Sequence, residues 1–141
     1  MDDEGIRKLV KDSKGFPFIC QAPEIEETHI SYVILCENDV LKLKKSVKLD
    51  FLDFSTTDLR KHYCYEELHL NRRFAEAIYL DVLPVSITNG VYMVGNGDHI
   101  VDYAVHMKRM PSDRRMDILL DNNRLQYRSL DQLARILVDF H

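Results

Sequence analysis

From residue 28 to 36 the chain is rich in β-branched and aromatic side chains, and within 40–45 apolar and basic residues alternate from Leu41 to Lys44. Both patterns predict strands. The polar trio Glu37, Asn38 and Asp39 between them reads as a turn. Successive strand side chains point to opposite faces. Lys42 and Lys44 therefore share one face, and Leu41 and Leu43 the other. Residues 82–88 and 91–94 form a second predicted hairpin around Asn89-Gly90, a pair that favours the type I′ turn. Gly95-Asn96-Gly97-Asp98 turns the chain again, and residues 100–107 make the last strand. Residues 18–20 allow a short first strand ahead of all these.

Residues 58–78 follow the helical period instead. Advancing about 100° per residue, Leu59, Tyr63, Cys64, Leu68, Leu70, Phe74, Ala75 and Ile78 fill one broad arc. Glu67 falls near the centre of that arc and Glu66 at its edge. Ser55, with Asp58 three residues on, predicts a capping box, and Phe54 with Leu59 a hydrophobic staple. A cap of this kind contributes about 1 kcal/mol. Residues 5–13 predict a short helix ended by Gly15 and Pro17. Beyond Pro111, Ser112 caps a short helix to Leu120, which Asp121-Asn122-Asn123 breaks. Ser129, with Gln132 three residues on, caps a final helix carrying Leu130, Leu133, Leu137 and Phe140. The order is strands, one helix, strands, then helices. It predicts an α+β fold: an antiparallel sheet of about five to six strands with one main helix packed on it, followed by short C-terminal helices.

Composition narrows the function. The chain has 141 residues, 45% apolar and 30% charged, enough for a real core. A net charge of -4 argues against a broad nucleic-acid footprint. Lys44, Lys45 and Lys48 have a plain reading as a solvated strand edge. Cys20, Cys36 and Cys64 are odd in number with no Cys-x-x-Cys spacing, which predicts free thiols in a reducing cytoplasm. The acidic start Met1-Asp2-Asp3-Glu4 is unlike a signal peptide. No apolar run approaches the ~18 residues of a membrane span.

The candidate chemistry centres on Glu67. A carboxylate aimed at a core is costly unless a cation or hydrogen-bond donor meets it. The best candidate partner lies upstream, in the strand-like run Asp39-Val40-Leu41-Lys42-Leu43-Lys44-Lys45. A strand lysine reaching a helix glutamate is how kinase-like folds hold ATP phosphates. The plainer readings are that Lys42 is a surface lysine and that Glu67 is tied to Arg60 or to a buried polar group. His62, Glu66 and His69 share a helix face that could grip a metal but reads better as solvated surface. Gly95-x-Gly97 opens no helix and is a turn. No Gly-x-Ser-x-Gly elbow supports a hydrolase triad.

Several blocks in order carry a wider resemblance. They are Glu27-Thr28-His29-Ile30-Ser31, Leu41-Lys42-Leu43-Lys44-Lys45, Phe51-Leu52-Asp53-Phe54-Ser55-Thr56 and Glu67-Leu68-His69-Leu70-Asn71-Arg72-Arg73. Tyr79-Leu80, Val82-Leu83-Pro84-Val85, the stretch 103–111 and the closing residues 133–141 continue them. From about residue 24 onward the chain resembles the aminoglycoside-phosphotransferase-like proteins of bacteria, in the class where such a domain often precedes a P-loop ATPase domain. The resemblance implies a kinase-like small lobe over residues 1–110, with a linker and the first helices of an incomplete large lobe over 111–141. It implies ATP as ligand, with Lys42 on the α and β phosphates and Glu67 orienting it. Lys108, Arg109 and Met110 would lie near the linker whose backbone meets adenine.

The family's His-Gly-Asp type loop, its metal-binding Asn and its magnesium-holding Asp have no counterparts here, nor is there a P-loop. Residues 23–31 contain no glycine, so a phosphate-covering loop here is not the flexible Gly-rich kind. The expectation is a nucleotide-binding lobe that does not turn over alone, with magnesium entering only if another chain supplies the catalytic lobe. A homodimer or a partner chain would cover the C-terminal helices. The alternative is a non-catalytic interaction module that keeps the lobe.

Overall fold

The computed structural model describes residues 1–141, the side chain of Ser13 excepted. It divides into two compact units, Met1–Arg109 and Met110–His141. The first holds α1 (Asp3–Lys11), a 3₁₀ turn (Ser13–Gly15), β1 (Glu24–Glu27), β2 (Ser31–Leu35), β3 (Asp39–Lys44), β4 (Lys48–Leu49), β5 (Leu52–Asp53), α2 (Thr57–Ala75), β6 (Tyr79–Thr88), β7 (Val91–Val94) and β8 (Ile100–Lys108). The second holds a 3₁₀ turn (Ser112–Arg114), α3 (Met116–Asp121) and α4 (Tyr127–Phe140).

Six strands form one antiparallel sheet in the order β1-β2-β3-β8-β6-β7, and β4 with β5 makes a small separate ribbon. The fold is α+β, as the periodicities predict. β3 is an interior strand. Leu41 and Leu43 lie opposite His106 and Ala104, while Lys42 lies opposite Val105, so the pleat sorts them onto two faces. Leu41, Leu43, Ile34 and Ala104 pack with Ile6 and Leu9 of α1 in the larger core. On the other face Cys64 and Leu68 of α2 pack on Val82 and Val105. The sheet is therefore covered on both sides, by α1 as well as by the main helix.

Local chemistry explains where the elements depart from the pattern. α1 starts ahead of Gly5 because the Asp2 carboxylate accepts from the Gly5 N–H at 2.8 Å. Residues 18–20 form no strand; side chains anchor them instead, Phe18 stacking on His106 at 5.0 Å and Cys20 bonding to Cys36. That disulfide corrects the expectation of free thiols. The cysteine spacing in sequence could not show that Cys20 lies over the end of β2. The run 28–36 is also shorter as a strand than expected, because Thr28 closes a turn. Its hydroxyl accepts from the Ser31 N–H at 3.0 Å, and its own N–H donates to the Ser31 carbonyl at 2.9 Å. β1 precedes that turn as an exposed, acid-rich edge strand with no apolar alternation to reveal it.

The helix cap is Thr56, whose hydroxyl accepts from the Leu59 N–H at 3.2 Å; Ser55 instead turns back to Asp53 at 2.6 Å. α2 ends at Ala75, and the Ile78 N–H bonds back to the Ala75 carbonyl at 2.9 Å. Its buried residues are Arg60, Cys64 and Leu68, whereas Leu70 and Phe74 of the expected arc are half exposed. At the β6–β7 hairpin Asn89 (φ 51°) and Gly90 (φ 78°) take the left-handed conformations of a type I′ turn. In the second unit Ser112 opens only a 3₁₀ turn, and Ser129 lies inside α4 instead of capping it. Leu130, Leu133, Leu137 and Phe140 of α4 are exposed. Among the described residues no helix is long and apolar enough to cross a membrane.

Arg60 is the main surprise of the core. Its Nε donates to Asp102 Oδ1 at 2.9 Å and its Nη1 to the Phe54 carbonyl at 2.9 Å, with Asp102 fully buried. The Met1 ammonium also meets Asp102. Removing one partner of a buried pair leaves an uncompensated charge. Asp102→Ala is expected to lose about 3–5 kcal/mol of stability, read as a lower urea midpoint. Thiol titration with an aromatic disulfide reagent checks the Cys20–Cys36 bond. The native chain is expected to show no fast thiol, since its free cysteine, Cys64, is buried. Denatured without reductant it should show Cys64 alone, and after reduction all 3 cysteines.

Candidate functional site

The site begins with the pleat of β3. Lys42 and Lys44 project from the face that α2 covers, and Glu67 comes down between them from the helix. Lys42 Nζ donates to Glu67 Oε1 at 2.9 Å, and Lys44 Nζ donates to Oε2 at 2.7 Å. The helix holds Glu67 in place through its neighbours. Cys64 and Leu68 lie three residues before it and one after, on the same stripe, and both pack on the sheet. The Asn71 side chain donates to the Glu67 carbonyl at 2.8 Å, stiffening that turn.

The two lysines differ in setting. Lys42 keeps 31% of its side chain exposed, Lys44 only 7%, and Glu67 13%. Lys44 also lies over the Phe54 ring, 5.0 Å from its centroid. Lys44 is therefore a buried ion-pair partner and not the solvated edge residue its surroundings in sequence suggest. β3 lies between β2 and β8, so it has no free edge. Lys45, by contrast, pairs with Glu27 and lies 4.8 Å from the Tyr32 ring, and Lys48 stays on the surface near Asp53. The plainer reading of Glu67 as a partner of Arg60 does not hold, because Arg60 turns to Asp102.

Electrostatics follow the geometry. Burial pushes the Glu67 carboxyl up, but the hydrogen bonds and charges of Lys44 and Lys42 outweigh it and hold it below the usual carboxylate value. Burial pushes the Cys64 thiol up to about 11. Burial and then the Glu67 charge raise the Tyr79 hydroxyl. One carboxylate faces two ammonium groups, so the cluster carries a surplus positive charge. On the same sheet face Leu35, Val40 and Met107 lie in one register row, with Val33 opposite Lys42. They form an apolar shelf beside the lysines, with Val40 two residues before Lys42.

The other expected residues lie at the end of β8. Lys108 is exposed, opposite Asp39, and its N–H donates to the Ile78 carbonyl at 2.8 Å. Arg109 donates from Nη1 to the Cys36 carbonyl at 2.7 Å, and its N–H donates to the Asn38 carbonyl at 2.8 Å. It thereby ties the β2–β3 turn to the strand end. Met110 begins the second unit and is half exposed. The structure joins Lys42 to Glu67 directly, while Lys108 and Arg109 adjoin the row of Val40 and Met107. His62, Glu66 and His69 are exposed, and among the described residues no three His, Cys, Asp or Glu side chains could hold a metal. Lys44 and the Arg60–Asp102 pair were missed by sequence reasoning. For Lys44 the signal was present, since the two-residue period places it on Lys42's face.

Comparison with known proteins yields relatives without assigned roles. An uncharacterized protein of Mycobacterium bovis and uncharacterized proteins of two Mycobacterium tuberculosis strains are each 31% identical over 125 residues, which is 89% of this chain and 23% of theirs. The chain thus spans about a quarter of the length of the curated relatives it matches, at 23% of each. No family model matches the chain, and no solved structure matches it.

The depressed carboxyl sets a pH dependence. A group with a lowered folded pKa adds stability above its unfolded value and loses it as pH falls through the folded one. Glu67→Gln is expected to cost about 2 kcal/mol or more near neutrality, because Lys44 then stays buried without its carboxylate. The difference between variant and wild type should narrow as pH falls below the ordinary carboxylate value of 4.5. Urea midpoints across that range check it.

Proposed function

We propose that this chain is the nucleotide-binding lobe of an aminoglycoside-phosphotransferase-like kinase, and that it is not catalytic alone. One observation carries the reading. A lysine of the third strand is hydrogen-bonded to a glutamate of the helix that follows the β3–β5 segment, at 2.9 Å. Protein kinases place their phosphate-binding lysine on the third strand and pair it with a helix glutamate in the same way. The surplus positive charge of the cluster supports an anionic ligand, and the apolar shelf beside it suits a base.

In this reading Lys42 contacts the α and β phosphates and Glu67 orients it. Leu35, Val40 and Met107 take the face of the adenine, next to the strand end at Lys108 and Arg109. Phosphoryl transfer depends on positioning and on metal charge. The Lys42 ammonium suits the phosphates, whereas among the described residues no three His, Cys, Asp or Glu side chains could hold the magnesium. Magnesium and the catalytic base are assigned to a large lobe supplied by another chain or segment. The length of the relatives agrees with this, since the matched stretch is 23% of each. A cytoplasmic location goes with an ATP-dependent role. The burial of Cys20 and Cys36 would shield their bond from the thiols of that compartment.

A second reading is a non-catalytic interaction module that kept the lobe and lost the chemistry. The exposed Leu130, Leu133, Leu137 and Phe140 of α4 suit a partner there, as they suit a docking large lobe under the first reading. Its partner would be a second copy or another chain, with neither nucleic acid nor membrane involved.

Calorimetric titration of ATP, with and without magnesium, tests the first reading. Wild-type binding is expected to be weak, with a Kd of about 0.1–1 mM, because the lobe supplies half a cleft. Lys42→Ala should weaken it about tenfold or more, the scale of one charge-assisted hydrogen bond. No heat at millimolar ATP from a folded sample would overturn the ATP-lobe reading. A clean dimer on size exclusion in that case favours the module.

A further inference from the structure

The sheet ends on one side at β1, and that edge is open. β2 occupies one flank of β1, and all 4 residues of β1 are exposed. The Thr28 N–H donates to the Ser31 carbonyl at 2.9 Å, which sets the phase of the ladder. Hydrogen-bonded and non-bonded pairs alternate along antiparallel strands. Glu26 with Val33 and Glu24 with Leu35 are therefore the bonded pairs. The N–H and C=O groups of Ile25 and Glu27 point the other way, to the open side. Such a row of unpaired backbone groups is a template for an added strand.

The two faces beside that edge differ. Ile25 and Glu27 lie opposite Ile34 and Tyr32, on the face that α1 covers. There Ile25, 43% exposed, lines a groove of about 280 Å³ with Ile6 and Tyr32. Asp3, Arg7 and Glu27 complete its wall. Glu24 and Glu26 stand on the opposite face. Glu24 pairs with Arg109 at 3.3 Å. Glu26 has no ion-pair partner among the described residues; Lys42 of the same face is two strands away and held by Glu67. A second copy of this chain is a poor occupant, because 3 of the 4 residues of β1 are glutamates and like charges across a pair repel.

We propose that the β1 edge takes an extended, basic segment of a partner protein, added antiparallel to β1. The partner residue opposite Ile25 shares its face and enters the groove, so it is aliphatic. Its neighbours on either side turn to Glu24 and Glu26, so they are lysine or arginine. Main-chain hydrogen bonds to Ile25 and Glu27 supply affinity, and the basic–aliphatic–basic alternation supplies specificity. Neither Lys42 nor Glu67 takes part, so this surface stands or falls apart from the nucleotide reading.

NMR titration of the intact chain with a short capped peptide of alternating lysine and valine tests it. Shifts are expected at residues 24–28, Ile6 and Tyr32, and the Ile25 and Glu27 amides should exchange with solvent more slowly once peptide is bound. Methylating the valine nitrogens blocks strand pairing while keeping every charge and leaving the protein untouched; that peptide should not bind. Glu26→Lys, a change at an exposed position, should weaken the parent peptide about tenfold or more. No binding at millimolar peptide overturns the proposal and leaves the glutamates as guards against edge pairing. Equal binding of the methylated peptide overturns it too, since charge attraction alone would then suffice. So does equal binding of a peptide with glutamate in place of lysine, or an unchanged affinity in Glu26→Lys. Protection of the Ile25 and Glu27 amides that grows with protein concentration in the absence of peptide assigns the edge to a second copy and also overturns it.

Discussion

An interior strand with both faces covered has little room for two lysines, and β3 carries two. Their ammonium groups lie under a helix, where water cannot fully solvate them, so an acid of that helix must meet them. Glu67 does this for both at once. This one triad decides which turn of α2 lies over β3, and hence how the helix lies on the sheet. The apolar contacts of Cys64 and Leu68 reinforce that choice but are less directional.

A second charged tie fixes the same helix elsewhere. Arg60 is seven residues before Glu67, two helical turns and about 10 Å along the axis, and it is bonded to Asp102 of β8. One tie reaches β3 and the other β8, two adjacent strands. Two specific anchors on one stripe leave the helix little freedom to slide or roll. Such pairs are weak contributors to net stability, because both partners must be desolvated. Their geometry is directional, so together they favour one placement of α2 on β3 and β8.

Much of this was legible in the sequence where periodicity is strong. The β6–β7 hairpin follows from Asn89-Gly90, the main helix from its spacing, and the misplaced acid Glu67 from the same arc. The α+β class follows from their order. What was not legible depends on contacts between distant segments. Arg60 reads as a polar helix residue until Asp102, 42 positions away, supplies its counter-charge. Cys20 and Cys36 become neighbours only once the N-terminal segment lies over the sheet. The exposed strand β1 carries no apolar alternation, so only its pairing with β2 defines it. Small shifts, such as the cap at Thr56 instead of Ser55, turn on which neighbouring hydroxyl is drawn to Asp53.

The Cys20–Cys36 bond spans 16 positions of sequence and encloses the whole β1–β2 hairpin, including the glycine-free turn at Thr28. In an unfolded chain a closed loop of that length removes conformations worth about 3 kcal/mol. The strand that depends on this leash most is β1, which buries none of its own side chains against the core. Opening the loop would return entropy mainly to that margin of the sheet, and the charged centre between β3 and α2 would stay assembled while its rim loosened.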